Sequence, residues 1–332
     1  MFRFLWKPDL ITAPALARPA DGPEIVFHLG QRGIDRTGQK LGLYTEIFWS
    51  LKRQGHVVRA VRVSRESRIA ARNDNRFHIF FHGRLEGARF LNFKDTYLKN
   101  YYYCDPRGFC GFSSVVDQKF DSGQIPAADA HGFFATLCKR HIGRKMSKFQ
   151  QPATGSILPK GAIAIFLQIE RDIVLRLARF SMRDMVDMIL AARGNRPVII
   201  KRHPKCQDPA IAAFLDRIHA PDAGIHVVDA NLHDIFGAAS HVAVINSGTG
   251  FEALLHKKPV LLFGQSDYHH AAWPINDMND LRRGLLADGP PINEIEKFLY
   301  WFLRQQLLSP LHGDMGRQIA ERVLKQGYPL ER

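Results

Sequence analysis

The sequence predicts an α/β fold built on doubly wound parallel sheets, and three observations carry that prediction. Patterns of buried strands and amphipathic helices alternate along the chain, which is the arrangement that produces parallel strands. The alternation starts as strand, loop, helix, strand, and it is most regular in the second half. The length of 332 residues exceeds one typical domain of about 100–200 residues and suits two.

The first half opens as a β–loop–α–β unit. Leu43, Ile47 and Leu51 share one helix face, and Gly55 ends that helix. Residues 91–120 are rich in aromatic side chains, and their periodicity does not assign them to helix or strand. The predicted elements are strands over 24–30, 57–63 and 77–82 and a helix over 43–54.

A domain boundary is predicted near residue 155. Residues 121–133 resemble the approach to a helix, and 146–160 contain two prolines and a glycine, which is typical of a linker. The sequence therefore predicts an N-terminal Rossmann-like domain over 1–155 and a C-terminal one over 156–332.

The second half has the regular rhythm of a doubly wound domain. Its predicted strands cover 162–168, 197–203, 225–229, 241–246 and 259–264. Its predicted helices cover 180–193, 208–219, 231–239 and 250–257, and two more at 291–307 and 314–327 close the chain.

The chain is basic, with 46 Lys and Arg against 32 Asp and Glu and a formal net charge of +14. This balance is typical of proteins that meet nucleic acid, an anionic membrane surface or negatively charged substrates. The basic residues are scattered, and the run at 139–145 is typical of a solvated face. Because no nucleic-acid motif accompanies them, we expect no nucleic-acid partner.

The four cysteines indicate a reducing compartment. Cys104, Cys110, Cys138 and Cys206 include no CxxC pair, and a chain of this size needs no disulfide scaffold. Cys104 and Cys110 lack the spacing and the second pair of ligands that a zinc site requires, so we expect no metal.

The first eight residues, interrupted by charge and proline, lack the apolar segment of a secretory signal. No run approaches the ~18–20 apolar residues of a membrane span. We therefore expect a cytoplasmic protein that is at most peripheral at the inner face of the membrane.

The most informative motif is the turn at 246–252, which joins an apolar strand to a helix. Backbone N–H groups, hydroxyls and a helix N-terminus form an anion site there, and two glycines let an anion approach the backbone. Glu252, placed in the first helical turn, would accept from ribose hydroxyls or complement the helix dipole. The alternative is an ordinary turn with the serine as N-cap. The candidate phosphate-binding residues are Asn246, Ser247, Gly248, Thr249 and Gly250.

A second motif, Lys201-Arg202-His203-Pro204, follows another predicted strand. Pro204 stops the strand, His203 can donate a hydrogen bond to a phosphate, and Lys201 supplies positive charge. The alternative is a basic loop at the sheet edge.

A third motif ends the strand that opens the second half, where Gln168, Glu170 and Asp172 replace an apolar run. Glu170 and Asp172 would act as base or nucleophile, or would bind sugar hydroxyls. The alternative is that they cap the next helix.

The glycine-rich stretch 30–42 contains neither GxGxxG nor a P-loop, so dinucleotide binding is unsupported. No GxSxG elbow is present, which argues against a serine hydrolase.

The three motifs, in this order, resemble the bacterial capsule polysaccharide biosynthesis proteins, whose best understood members are β-Kdo glycosyltransferases that use CMP-Kdo. The segment Asp-Pro-Arg-Gly-Phe-Cys-Gly-Phe-Ser-Ser at 105–114 is also similar to a segment of that group. The resemblance is best over about residues 100–270.

The resemblance implies a GT-B-like architecture, with two Rossmann-like domains facing across a cleft. The donor would sit on the C-terminal domain and the acceptor on the N-terminal one. His203 and Pro204 would meet the CMP phosphate, Ser247 and Thr249 the phosphate or the sugar carboxylate, and Glu252 the ribose or cytosine. Acceptor-side candidates are Asp105, Ser113 and Ser114.

The Gln-x-Asp motif of the family matches imperfectly, because Gln168 is followed at that spacing by Glu170, with Asp172 two residues further on. A β-configured donor and a β-linked product would mean retention, and a covalent glycosyl-carboxylate intermediate on Asp172 or Glu170 is the analogy with retaining glycosidases. CMP carries one phosphate, so no pyrophosphate-binding metal and no cofactor are expected.

The sequence leaves several functions open beside a transferase of Kdo or a related acidic sugar. They are a CMP-sialic acid transferase, a CDP-polyol phosphotransferase and a non-catalytic accessory protein of polysaccharide export. The expected partners are a CMP-activated sugar, a lipid-linked or oligosaccharide acceptor, the capsule assembly machinery and an anionic membrane surface.

Overall fold

The structure is a computed structural model that describes residues 8–16, 18, 20–36, 42–219 and 222–330. Residues 37–41 of the glycine-rich stretch and most of the N-terminal segment lie outside the described residues. The chain forms two compact units. The first contains the described residues up to Thr96, Asn100–Ser114 and those from Leu303 onward, and the second contains Tyr97–Lys99 and Val115–Phe302.

A six-stranded sheet in the order β1-β3-β2-β4-β5-β6 forms the first unit. The first five strands are parallel, and β6 pairs antiparallel with β5. The strands are β1 Asp9–Ile11, β2 Glu24–Leu29, β3 Val57–Arg62, β4 Phe77–Phe81, β5 Phe90–Asp95 and β6 Tyr102–Asp105. The last two lie in the aromatic stretch that periodicity left unassigned, because β5 is buried almost throughout and shows no alternation.

Helices from both ends of the chain cover this sheet. On the predicted helix face, Ile47 and Leu51 are fully buried in the core and Leu43 packs against it. Ile319 and Val323 near the C-terminus join the same core. The helices of this unit are α1 Ala13–Leu16, α2 Gln31–Arg36, α3 Leu43–Arg53, α4 Arg65–Arg72 and the last of the chain, α12 Met315–Lys325.

The compact units therefore divide the chain differently from the predicted domains 1–155 and 156–332. Residues 115–155 belong to the second unit, and the C-terminal helix returns to the first. The physical reason is packing: the apolar face of α12 is buried against α3, not against its neighbours in sequence.

The second unit contains a parallel six-stranded sheet in the order β12-β11-β10-β7-β8-β9. The strands are β7 Ala162–Phe166, β8 Val198–Lys201, β9 Ile225–Val227, β10 Ala239–Val244, β11 Val260–Leu262 and β12 Trp273–Pro274. All five predicted strands are present but shorter at their carboxyl ends, where polar residues leave the ladder. The chain winds outward from β7 through β8 and β9, then returns to β10, so the topological switch point lies between β7 and β10.

The helices of the second unit are α5 Ala127–His141, α6 Met182–Ala192, α7 Pro209–His219, α8 Leu232–Ala238, α9 Gly248–Leu255, α10 Met278–Leu286 and α11 Ile292–Tyr300. The predicted helix at 291–307 ends as α11 at Tyr300 and continues as a π-helical turn, Trp301–Gln306. α10 and β12 were not predicted. The two sheets confirm the predicted α/β class with two Rossmann-like regions.

Within the described ranges, none of the helices combines the length and the apolar character that crossing a bilayer requires.

Candidate functional site

A reciprocal pair of side-chain amides marks the switch point of the second sheet. Gln168 follows β7 and Asn246 follows β10, and the two strands are neighbours. Gln168 Nε2 donates to Asn246 Oδ1 at 3.1 Å, and the Asn246 backbone N–H donates to Gln168 Oε1 at 3.1 Å. Asn246 Nδ2 also donates to the Val174 carbonyl at 2.8 Å. Both side chains are buried, so they fix the start of the 246–252 turn, and catalysis by Gln168 stays a prediction.

Ser247 is the N-cap of α9, as the ordinary alternative for this turn predicts. Its Oγ accepts from the Thr249 N–H at 3.2 Å and lies 3.3 Å from the Thr249 hydroxyl. Both side chains stay partly exposed. Capping leaves the role in anion binding open, because the helix N-terminus and both hydroxyls remain at the strand end.

The two glycines of the turn have packing reasons. A Cβ on Gly250 would lie 2.7 Å from the Tyr268 hydroxyl and 2.8 Å from Val244 Cγ2. A Cβ on Gly248 would lie 3.0 Å from Tyr97 Cδ1. Close packing of α9 on the sheet therefore requires glycine at position 250, and the approach of an anion to this glycine stays a prediction.

Two buried tyrosines that the sequence analysis did not single out pack against this turn. The Tyr268 hydroxyl donates to the Ser247 carbonyl at 2.7 Å, and the Tyr97 hydroxyl donates to Asp267 Oδ1 at 2.6 Å. The polar run after β11, Gln265-Ser266-Asp267, was the available signal, because it marks the carboxyl end of one more parallel strand.

His203 follows β8 and presents a neutral imidazole. Its Nδ1 accepts from the Lys205 N–H at 3.1 Å, which assigns the ring proton to Nε2. Partial burial lowers the pKa of His203, and the charge of Lys205 acts in the same direction while that of Asp172 opposes it. At neutral pH His203 therefore supplies an Nε2–H donor, with Pro204 directing the chain away after it.

Lys201 reaches this edge as half of an ion pair. Its Nζ lies 2.6 Å from Asp229 Oδ1, and its side chain is 4% exposed against 84% for Asp229. Lys201, the predicted source of positive charge, is thus already paired with an aspartate that follows the neighbouring strand, and its role toward a phosphate stays a prediction.

The two candidate carboxylates differ in environment. A hydrogen bond with Asp208 raises the pKa of Glu170, and the same bond lowers the pKa of Asp208. Asp208 also accepts the Ala210 backbone N–H at 2.8 Å, so this carboxylate has a second partner besides Glu170. Asp172 is exposed and caps a 3₁₀ turn by accepting from the Val174 N–H at 3.3 Å. The alternative of helix capping is thus observed for Asp172.

Glu252 is not in the first turn of α9 but in the second, because the helix begins at Gly248. It is 7% exposed, and its Oε1 accepts from the Ser147 hydroxyl at 3.2 Å. Burial raises the pKa of Glu252 to about 7, although hydrogen bonds from Ser147 and the Lys148 backbone lower it.

The three acceptor-side candidates lie in the first unit, where Asp105 organises a closed loop. Its Oδ1 accepts from the N–H groups of Arg107 at 2.8 Å and Gly108 at 2.9 Å, and its Oδ2 accepts from the Ser114 hydroxyl at 2.6 Å. Ser113 is fully buried, and its carbonyl accepts from the Arg107 guanidinium at 2.8 Å. Asp105 and Ser114 therefore hold each other, and their role toward an acceptor stays a prediction.

In the part of the chain that the structure describes, no three His, Cys, Asp or Glu side chains group closely enough to hold a metal ion.

The comparisons with known proteins agree with the predicted resemblance. The family model described as capsule polysaccharide biosynthesis protein matches residues 128–295. Among solved structures, the chain is similar to KpsC, beta Kdo 2,4 transferase, of Thermosulfurimonas dismutans, with 16% identity, a TM-score of 0.55 and coverage of 90% of this chain and 97% of that one. It is likewise similar to KpsC, beta Kdo 2,7 transferase, of the same organism, with 16% identity, a TM-score of 0.52 and coverage of 92% and 100%.

Curated protein sequences gave no significant match. The structural likeness supports the predicted GT-B-like fold class. Because the family match covers more than half of the sequence, the chain belongs to the capsule polysaccharide biosynthesis protein family.

Proposed function

We propose that this protein is a glycosyltransferase of capsular or envelope polysaccharide biosynthesis that transfers Kdo or a related acidic sugar from a CMP-activated donor. One observation carries the proposal: an imidazole donor and a hydroxyl-lined helix N-terminus follow β8 and β10, on either side of β7. The family membership and the names of the two similar structures support the same reaction class.

The CMP-sugar has two anionic groups, a phosphate and a carboxylate. The site has two kinds of hydrogen-bond donor to meet them. His203 Nε2–H serves the phosphate, because an imidazole donor stabilises the charge that CMP gains as it leaves. The hydroxyls of Ser247 and Thr249 and the positive end of the α9 helix dipole serve the second anion. The reciprocal Gln168–Asn246 pair fixes the start of the turn that carries Ser247 and Thr249 against the end of β7.

Asp172 is the better candidate for a nucleophile in a retaining reaction, because its carboxylate is exposed, whereas Glu170 is engaged in a hydrogen bond with Asp208 that raises the pKa of Glu170. In the first step a carboxylate oxygen of Asp172 forms a bond to the anomeric carbon, and the bond to the CMP phosphate oxygen breaks, with its electron pair leaving on the phosphate. The acceptor hydroxyl then displaces the carboxylate and gives its proton to a base. Glu170 becomes such a base when it is deprotonated.

No metal or cofactor is part of this proposal, since one phosphate can be neutralised by the side-chain and helix donors. The acceptor, a lipid-linked or oligosaccharide chain, and an association with the capsule machinery at the inner membrane face belong to the same proposal.

The test is a donor panel of CMP-Kdo, CMP-sialic acid, CDP-glycerol and UDP-sugars, read by thermal shift and by transfer to an oligosaccharide acceptor. We expect stabilisation and transfer with CMP-Kdo. H203A should lower kcat/KM about 100-fold, the usual loss for one donor to a developing charge. H131A, on an exposed histidine of the same unit, is the matched control.

D172A should abolish transfer, while E170Q retains part of it. Near-normal transfer by both variants contradicts the assignment of the carboxylates. Stabilisation by CDP-glycerol alone would move the chain to the polyol phosphotransferases, and nucleotide binding without any transfer would make it an accessory protein.

A further inference from the structure

The segment 145–156, called here the strap, runs across the second unit outside the elements of its sheet. Hydrogen bonds to α9 and to the start of α8 are among the contacts that hold it. Ser147 donates to the buried Glu252 at 3.2 Å, Asn231 Nδ2 donates to the Pro152 carbonyl at 2.7 Å, and Asp234 Oδ2 accepts from the Gly155 N–H at 2.7 Å. The strap is therefore attached both to α9, which begins at the candidate phosphate turn, and to the start of α8.

Between these attachments the strap places an aromatic ring against His203, the candidate phosphate-binding residue. The ring of Phe149 lies 5.1 Å from that of His203, edge to face at 78°. Lys205 Nζ lies 5.2 Å from the centre of the same ring. Phe149 nevertheless keeps 37% of its surface exposed, whereas Ser147, two residues earlier, is buried.

An exposed phenylalanine beside an imidazole donor and a lysine has the composition of a nucleotide site. The cationic and N–H groups suit the phosphate, and a flat π-face suits the base, whichever base it is. The exposed part of the Phe149 ring therefore remains available to a ligand.

Resting on the proposed function, we propose that Phe149 stacks on the pyrimidine base of the donor nucleotide and that the strap presents it beside His203. The strap then contributes the base-recognition surface, and the strand ends contribute the phosphate site. Because Ser147 ties the strap to α9, the two parts are held at a fixed spacing.

Two substitutions distinguish stacking of Phe149 on the base from packing of Phe149 against the His203 imidazole. F149L keeps an apolar side chain against the imidazole but removes the π-face, and F149W restores a π-face. I157A is the matched control, since Ile157 lies just beyond the strap and is fully exposed. Affinity is measured by calorimetry for CMP and for ribose 5-phosphate, which has the phosphate and sugar but no base.

We expect F149L to weaken CMP binding about 10-fold and to leave ribose 5-phosphate unchanged, with F149W and I157A close to the wild type. Equal CMP affinity in F149L and wild type, or an equal loss for both ligands, overturns the stacking role and leaves the proposed function standing. Phe149-dependent binding of UMP, with no binding of CMP, supports stacking on a pyrimidine and overturns the CMP donor, whereas Phe149-dependent binding of AMP alone overturns the pyrimidine as well. Failure of the wild type to bind any nucleotide overturns both.

Discussion

The two sheets place some of their polar side chains differently, and the difference is the reason for locating the proposed nucleotide site at the second sheet. In the first, His28 on β2 and His78 on β4 are fully buried, and their rings are joined by a hydrogen bond between Nε2 of His28 and Nδ1 of His78 at 3.0 Å. In the second, His203, Ser247 and Thr249 follow the strands and remain partly exposed.

Polar groups sealed inside a sheet stabilise or strain the fold but cannot meet a substrate. Burial lowers the pKa of both His28 and His78, so each is held neutral. Polar groups at the carboxyl ends of parallel strands keep capacity for a ligand, which is where open α/β sheets bind theirs. The second unit is therefore the one that carries a nucleotide site in this account.

Buried acids show the same contrast. The Asp105 carboxylate meets several donors within its own loop, whereas Glu252 meets two donors and is buried enough to hold a proton near neutral pH. Asp105 therefore organises a turn. Glu252 makes the stability of the fold depend on pH and lies in the helix that begins at the candidate site.

The largest expected effect comes from removing the carboxylate of the closed loop. D105A leaves the Arg107, Gly108 and Ser114 donors without their acceptor and should lower the free energy of unfolding by about 4 kcal/mol. Urea unfolding followed by circular dichroism measures it. D121A, which removes an exposed cap, is the control and should cost about 1 kcal/mol or less. If D105A lowers the free energy of unfolding no more than D121A does, Asp105 does not stabilise this loop.

Glu252 should make stability fall as pH rises. The carboxyl keeps its proton in the folded state up to a pKa of about 7, while the unfolded chain releases it near 4.5. Protons are then bound more tightly by the folded state, so stability is lost between these values and levels off above them. The loss attributable to Glu252 is about 3 kcal/mol.

The measurement is the difference in unfolding free energy between wild type and E252Q from pH 5 to pH 8. We expect the wild type to have the larger free energy of unfolding, relative to the variant, at pH 5. This advantage should shrink steadily as the pH rises to about 7. A difference that is constant over this range would show that Glu252 is ionised throughout.

Replacing Gln168 should have a smaller effect, localised to the switch point. Q168L leaves the Asn246 N–H and side-chain oxygen without partners and should cost about 2 kcal/mol. In a double-mutant cycle with N246L the two losses should be less than additive, because each variant breaks the same pair. Additive losses would mean that the two amides do not depend on each other.

The strand ends were predictable because apolar runs stop where polar residues begin. Gln168, His203 and Asn246 follow such runs, and parallel strands bring their carboxyl ends to one edge. The partners were not predictable. Asp229 neutralises Lys201 from the next strand, and the packing against Tyr268 that requires glycine at position 250 depends on α9 lying against the sheet.

The division of the chain into its two compact units also could not be predicted from local sequence patterns. Pro152 and Gly155 indicate a linker but belong to a strap that is held by hydrogen bonds to Asn231 and Asp234 at the start of α8. The amphipathic face of α12 likewise does not show which sheet this helix covers. Such choices depend on contacts between residues far apart in sequence, which a period of 3.6 or 2 does not encode.

The most direct test of the central claim is amide hydrogen exchange with and without CMP. The account predicts slower exchange at residues 203–206 and 247–250 in the second unit, and no change at the closed loop 105–114 of the first. Protection confined to 105–114, or CMP binding that leaves 203–206 and 247–250 unchanged, would contradict the placement of the nucleotide site at the strand ends of the second sheet.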